Sequence, residues 1–112
     1  MKLKAEDVVL LDLRKLSPIA DFFVVCSGMG ETHVKAISDA VREGLAEREE
    51  PSKAWHVEGY ESLRWVLLDY VDVVVHVFQH RTRDYYSLEK FWGDAPMEAI
   101  RDDPPAGGAG AP

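Results

Sequence analysis

The stretch Phe22-Phe-Val-Val-Cys26, broken by Ser27-Gly-Met-Gly30 and followed by Val34, Ile37, Val41 and Leu45, decides the fold. A run of apolar residues with no polar alternate makes a strand covered on both faces, the pattern of a central strand in a layered α/β domain. The glycine-containing break ends that strand. The recurrence of apolar residues every three or four positions is the stripe of an amphipathic helix over about 31–48. Glu47-Arg-Glu-Glu50 and Pro51 close the helix, and Lys53-Ala-Trp-His-Val57 predicts a short strand before a turn at Glu58-Gly59. Strand, helix and strand in succession predict a right-handed crossover between parallel strands.

Working outward, Val8-Val-Leu-Leu-Asp-Leu13 precedes the turn-like Lys15-Leu-Ser-Pro18 and reads as a strand. Arg64-Trp-Val-Leu-Leu-Asp-Tyr70 and Val73-Val-Val-His-Val-Phe78 are separated only by Val71-Asp72, a connection so short that the two strands must be antiparallel neighbours. Tyr85, Leu88 and Trp92 mark one face of a short helix over 82–92. Periodicity then stops, and the Pro/Gly/Ala-rich end reads as a flexible tail, so the chain divides into a domain over 1–95 and a tail over 96–112. The expected class is α/β bordering on α+β: a mixed five-stranded sheet with flanking helices.

A chain of 112 residues has room for one domain, and 46% hydrophobic content is enough to give it a core. Thirteen Lys and Arg against twenty Asp and Glu leave a net charge of -7, which disfavours a broad field attracting nucleic acid, direct DNA binding included, or an anionic membrane surface, and favours a basic partner. Cys26 is the only cysteine and suits a reducing compartment. The N-terminus has no signal-peptide core and the apolar runs are too short to cross a bilayer, so a cytoplasmic location is expected, a processed organellar form being indistinguishable.

The residues that could carry chemistry favour structural readings. Ser27-Gly28-Met29-Gly30 lies between strand and helix, where phosphates bind, but His33 stands where a dinucleotide fingerprint needs a third glycine and Glu31 puts a carboxylate where the anion would sit. His76 and His80 are four apart on a strand, about 13 Å from end to end, and are not expected to share a metal. Asp69 and Asp72 straddle a turn rather than one strand face, which suits hydrogen bonds to turn amides better than metal-assisted nucleotidyl transfer. Cys26 lacks a neighbouring base, and no nucleophile emerges. Neither cofactor nor metal is expected.

The C-terminal third is rich in aromatic residues. Strand alternation places Trp65, Leu67 and Asp69 on one face and Val66, Leu68 and Tyr70 on the other. If the Trp65 face is uncovered, it holds the ingredients of a protein-binding hot spot; if the last helix covers it, the same residues are core. Composition leaves both open.

Several segments together resemble the Iojap family, that of the bacterial ribosomal silencing factors. They are Ala5-Glu-Asp-Val-Val9, Ser17-Pro-Ile-Ala-Asp-Phe-Phe-Val-Val-Cys-Ser-Gly28, His33-Val34 with Ala36-Ile37, Glu58-Gly59, Trp65-Val-Leu-Leu-Asp-Tyr70, Asp72 through Phe78, and Arg83-Asp-Tyr-Tyr-Ser-Leu-Glu89 with Trp92. The resemblance covers about residues 5–95. It implies a fold similar to nucleotidyltransferases without their catalytic acids, and a non-enzymatic translation repressor. Such a repressor binds the large ribosomal subunit through its ribosomal protein fourteen and sterically blocks joining of the small subunit when nutrients are short. Carried over, Trp65 matches a partner-facing tryptophan, with Leu67, Asp69 and Tyr70 in the same block. Asp72, Tyr85, Tyr86, Glu89 and Trp92 match further motif positions, some of which hold the fold. A homodimer is implied as well.

Two departures stand out. The family usually has glycine where Val71 stands, and a β-branched residue resists positive φ, so the turn is either of another type or strained. The family also usually has a helix before the Ala5-Glu-Asp7 segment, and this sequence starts almost at its first strand. Two alternative readings are a nucleotidyltransferase-like nucleotide-binding enzyme using Ser27-Gly28 with Asp69 or Asp72, and a large-subunit assembly factor.

Overall fold

The computed structural model describes residues 5–48 and 52–100. In chain order they form β1 (Glu6–Asp12), β2 (Phe22–Gly28), α1 (Glu31–Ala46), β3 (His56–Glu58), β4 (Trp65–Asp69), β5 (Val73–Gln79), α2 (His80–Tyr86), α3 (Leu88–Phe91) and β6 (Met97–Ala99). The strands make one mixed sheet in the order β3-β4-β5-β2-β1-β6. Only β2 and β5 pair in parallel; every other neighbouring pair is antiparallel. The mixed α/β class expected from the sequence is the one observed.

Three details differ from the sequence reading. The parallel partner of β2 is β5, not the strand that follows α1. β3, β4 and β5 form an antiparallel meander, so β3 still runs in the direction of β2, but α1 carries the chain past two strands to the sheet edge. The reason is burial: β3 is three residues with exposed ends, whereas Val74 to Phe78 in β5 are all buried and require an interior position.

The sheet has six strands rather than five. Met97–Ala99, expected to open the tail, pairs with β1 and is fixed by bonds from the Asp12 amide to the Pro96 carbonyl (2.9 Å) and from the Ile100 amide to the Val8 carbonyl (2.8 Å). Main-chain pairing to an open sheet edge leaves no apolar alternation to read, because all three side chains are exposed. The rest of the expected tail, 101–112, lies outside the described residues, as do 49–51 at the expected close of α1.

The predicted 82–92 helix is broken in two. Ser87 sits in the left-handed region (φ 51°), its amide donating to the Arg83 carbonyl and its hydroxyl to the Asp84 carbonyl, so α2 ends and α3 starts on the same residue.

The core has two layers. On one face Val34 and Ile37 of α1 pack on Cys26, Val66, Leu68, Val75 and Val77. Burial pushes the Cys26 thiol up to about 11, with Arg83 opposing more weakly, which makes it an inert core residue. On the other face Leu11, Leu13, Val25, Phe78 and Ala95 form a cluster against which Leu88 and Trp92 pack. Gly59 (φ 97°) is demanded by geometry: a Cβ there would lie 1.9 Å from the Trp65 carbonyl oxygen, so only glycine lets the 59–63 turn close onto the start of β4.

Candidate functional site

β4 presents Trp65, Leu67 and Asp69 on the sheet face opposite α1, in register with Phe78, His76 and Val74 of β5. The Trp65 ring stacks on Phe78 (4.8 Å between centroids) and meets Tyr86 at 4.9 Å. Its indole N–H donates to His76 Nδ1 at 3.0 Å. That donation makes Nδ1 the acceptor of a neutral imidazole and leaves the proton on Nε2, which is buried without a partner. Burial holds His76 in this state, pushing its pKa down to about 4 while Asp69 opposes more weakly. Phe23 closes the other side of the imidazole at 4.5 Å, and Trp92 meets Phe23 edge-on at 6.0 Å.

The alternatives left open for this face resolve into partial cover. Leu88, Trp92 and Ala95 close the β1–β2 side. Trp65, Leu67 and Asp69 on the β4 side stay half-buried. Leu67 packs into neither core cluster. A half-exposed leucine between a histidine-pinned tryptophan and a carboxylate is an arrangement suited to protein recognition.

Asp69 has a second task. Its Oδ1 accepts the Val71 amide at 2.8 Å, the turn-capping reading favoured from sequence. Val71 has φ 76°, and the Asp72 amide donates to the Tyr70 carbonyl two residues back, which is the pattern of a strained γ-turn. Of the two options for this turn, the strained one is present. Asp72 is exposed, and its carbonyl accepts from the Asp21 and Phe22 amides, tying the hairpin to β2. Tyr70 packs on the α1 face and so does not join the Trp65 surface.

Tyr85 and Tyr86 are exposed and extend the Trp65 surface, their rings perpendicular at 5.0 Å. Glu89 is already engaged. Its carboxylate accepts from the buried Arg83 guanidinium, which also donates to the Ser27 hydroxyl and the Asp7 carbonyl, both at 2.8 Å. Asp7 (φ 51°) sits where the β1–β2 register shifts, so this irregularity turns a carbonyl towards Arg83. Glu89 thus serves the fold, and the predicted set divides: Trp65, Leu67, Asp69, Tyr85 and Tyr86 share one surface, Trp92 supports it through Phe23, Asp72 ties the hairpin turn to β2, and Tyr70 and Glu89 lie elsewhere.

Ser27 to Gly30 form a packed turn. A Cβ on Gly28 would press on Val34, the Met29 amide donates to His33 Nδ1, and α1 begins at Glu31. His80, which opens α2 rather than continuing the strand of His76, pairs with Glu6 at 2.5 Å, and His56 pairs with Glu58. Among the described residues no group of three or more His, Cys, Asp or Glu could hold a metal ion. No helix among them is long and apolar enough to cross a membrane.

Sequence reasoning passed over His76 and Phe23 as site residues. The available signal was register: in the short hairpin a residue facing Leu67 must lie beside Trp65, and the only side chain there with an acceptor for the indole is His76.

The fold and this surface define a small mixed α/β domain with a half-open, aromatic-rich sheet face edged by Asp69. The family described as "Ribosomal silencing factor during starvation" matches residues 1–110. A ribosomal silencing factor of Halalkalibacterium halodurans is 50% identical over 93 residues, covering 83% of this chain and 78% of that one. The chloroplastic Iojap protein of Zea mays is 35% identical over 98 residues, 87% of this chain and 42% of that one. A crystal structure of a protein from Chromobacterium violaceum superposes with a TM-score of 0.77 at 38% identity, covering 81% of this chain and 74% of that one. This chain belongs to the ribosomal silencing factor family.

Proposed function

We propose that the chain is a non-enzymatic repressor of translation in the cytoplasm that binds the large ribosomal subunit through its ribosomal protein fourteen and keeps the small subunit from joining. The observation that carries this reading is the half-open β4 face, where Trp65 is pinned by His76 and flanked by Leu67 and Asp69. An apolar pair beside a carboxylate suits a patch that is apolar at its centre and basic at its edge, as a ribosomal protein would offer. The net charge of -7 opposes broad contact with ribosomal RNA and so restricts docking to such a patch. A body 38 × 35 × 31 Å across supplies the bulk that a steric block needs.

The test is a pull-down from ribosomal extract together with a subunit-joining assay. The wild-type chain retains large-subunit protein fourteen and lowers the yield of joined ribosomes, and Leu67→Glu does neither. A wild-type chain that leaves subunit joining unchanged would remove the function, and a fully active Leu67→Glu would remove the face.

A further inference from the structure

Beside Trp65 the surface opens into a cleft of about 470 Å³ lined by Ser62, Arg64, Trp65, Arg81, Thr82, Tyr85 and Tyr86. Its composition runs against the rest of the molecule. The chain carries twenty acids, yet no carboxylate lines this cleft. The ion pairs among the described residues involve Arg14, Lys35, His56, His80 and Arg83, and neither Arg64 nor Arg81 takes part in one. Tyr85 leaves 81% of its surface open and Tyr86 52%, so their rings are available at the rim.

Two uncompensated guanidinium groups, open aromatic rings and two hydroxyls suit an unpaired nucleotide. Each arginine takes one of the two phosphates that flank a nucleotide in a strand, a ring takes the base face, and Ser62 and Thr82 can bond the sugar or base edge. The volume lies within the ~300–1,000 Å³ range of small-molecule sites. An acidic peptide would use the arginines but gain less from open aromatic faces, so the cleft favours RNA.

We propose that this cleft binds a nucleotide of single-stranded RNA, and that on the ribosome it takes an unpaired ribosomal RNA nucleotide next to the protein patch. The ribosomal part rests on the function proposed above; the RNA-binding part does not. One tryptophan serves both surfaces, since Trp65 stands on the β4 face and also walls the cleft.

The test measures anisotropy of a fluorescein-labelled heptauridine RNA against the full chain at several salt concentrations. Wild type binds, with a log–log salt slope near -1.4, as expected if two phosphates are neutralised at about -0.7 each. Arg64→Gln/Arg81→Gln loses most of that slope and binds at least ~10-fold more weakly. Tyr85→Ala, at an exposed position, weakens binding by roughly 5- to 100-fold with the slope kept. Absence of wild-type binding, or an unchanged affinity in the double variant, overturns the proposal. Equal competition by uridine monophosphate would replace a strand with a free nucleotide, and equal competition by polyglutamate would replace it with an acidic peptide; either overturns it. Co-sedimentation with the large subunit is read in parallel. A chain that co-sediments but binds no RNA refutes the cleft alone, and one that binds RNA but does not retain protein fourteen refutes the β4 face alone.

Discussion

The Trp65 indole N–H donates to Nδ1 of His76 at 3.0 Å, and the bond survives only while His76 is neutral, because a protonated imidazole has no acceptor. His76 titrates near 4 in the folded chain and near ~6.5 when unfolded, so between these values the unfolded state takes up the proton first. Stability from this residue is therefore complete above about pH 6.5 and lost as pH falls towards 4. Urea unfolding at pH 7 and pH 5 should show a loss of ~2 kcal/mol from this source. His76→Gln, which keeps an acceptor and cannot protonate in this range, should lose less over the same interval. Equal pH sensitivity in the two proteins would contradict the assignment.

Leu67 and Trp65 should separate binding from folding. Leu67 belongs to neither core cluster, so Leu67→Glu should shift stability by no more than ~1 kcal/mol while abolishing large-subunit co-sedimentation. Trp65→Phe keeps an aromatic ring over Phe78 but leaves His76 without its donor, and should cost ~1–3 kcal/mol. Thermal unfolding beside sedimentation distinguishes the two; a Leu67→Glu that unfolds at room temperature would place that leucine in the core.

Val71→Gly should stabilise the protein. A β-branched residue at φ 76° carries ~1–3 kcal/mol of backbone strain, and glycine returns ~0.5–1 of it as unfolded-state entropy. The expected net gain is ~1 kcal/mol, read as a higher urea midpoint with an unchanged slope. A destabilised variant would mean that the turn carries no such strain.

Arg83 holds three acceptors from inside the fold. Arg83→Met leaves the Asp7 carbonyl, the Ser27 hydroxyl and the Glu89 carboxylate without their donor and should cost ~3 kcal/mol or more. Combined with Glu89→Gln the loss should be less than additive, since the second change removes the charge that the first strands. Strict additivity in a double-mutant cycle would dissolve the pair.

How much of this was legible in the sequence follows from what each element depends on. The apolar run from Phe22 to Cys26, the stripe of α1 and the short β4–β5 connection are local patterns, and each element appears close to where it was read. The partner of β2 was not legible, because pairing depends on which later strand has both faces to bury, and the strand that does, β5, lies far along the chain from β2. β6 left no trace because its side chains contribute nothing to a core. On the β4 face, alternation alone separated Trp65, Leu67 and Asp69 from Tyr70. The occupation of Glu89 by Arg83 was invisible, since it depends on the break at Ser87 and on a carbonyl turned inward at Asp7.

The parallel pairing of β2 with β5 also has a kinetic consequence. Phe22 and Val73, its first register partners, are 51 positions apart in the chain, while β3, β4 and β5 can form by near-neighbour contacts alone. Closing the long segment yields no return until β5 reaches β2, so that docking event should dominate the folding barrier. Truncations across the β2–β5 seam, such as Val24→Ala or Val75→Ala, should then slow folding, whereas Val57→Ala on the meander's outer edge should chiefly change how fast the chain comes apart.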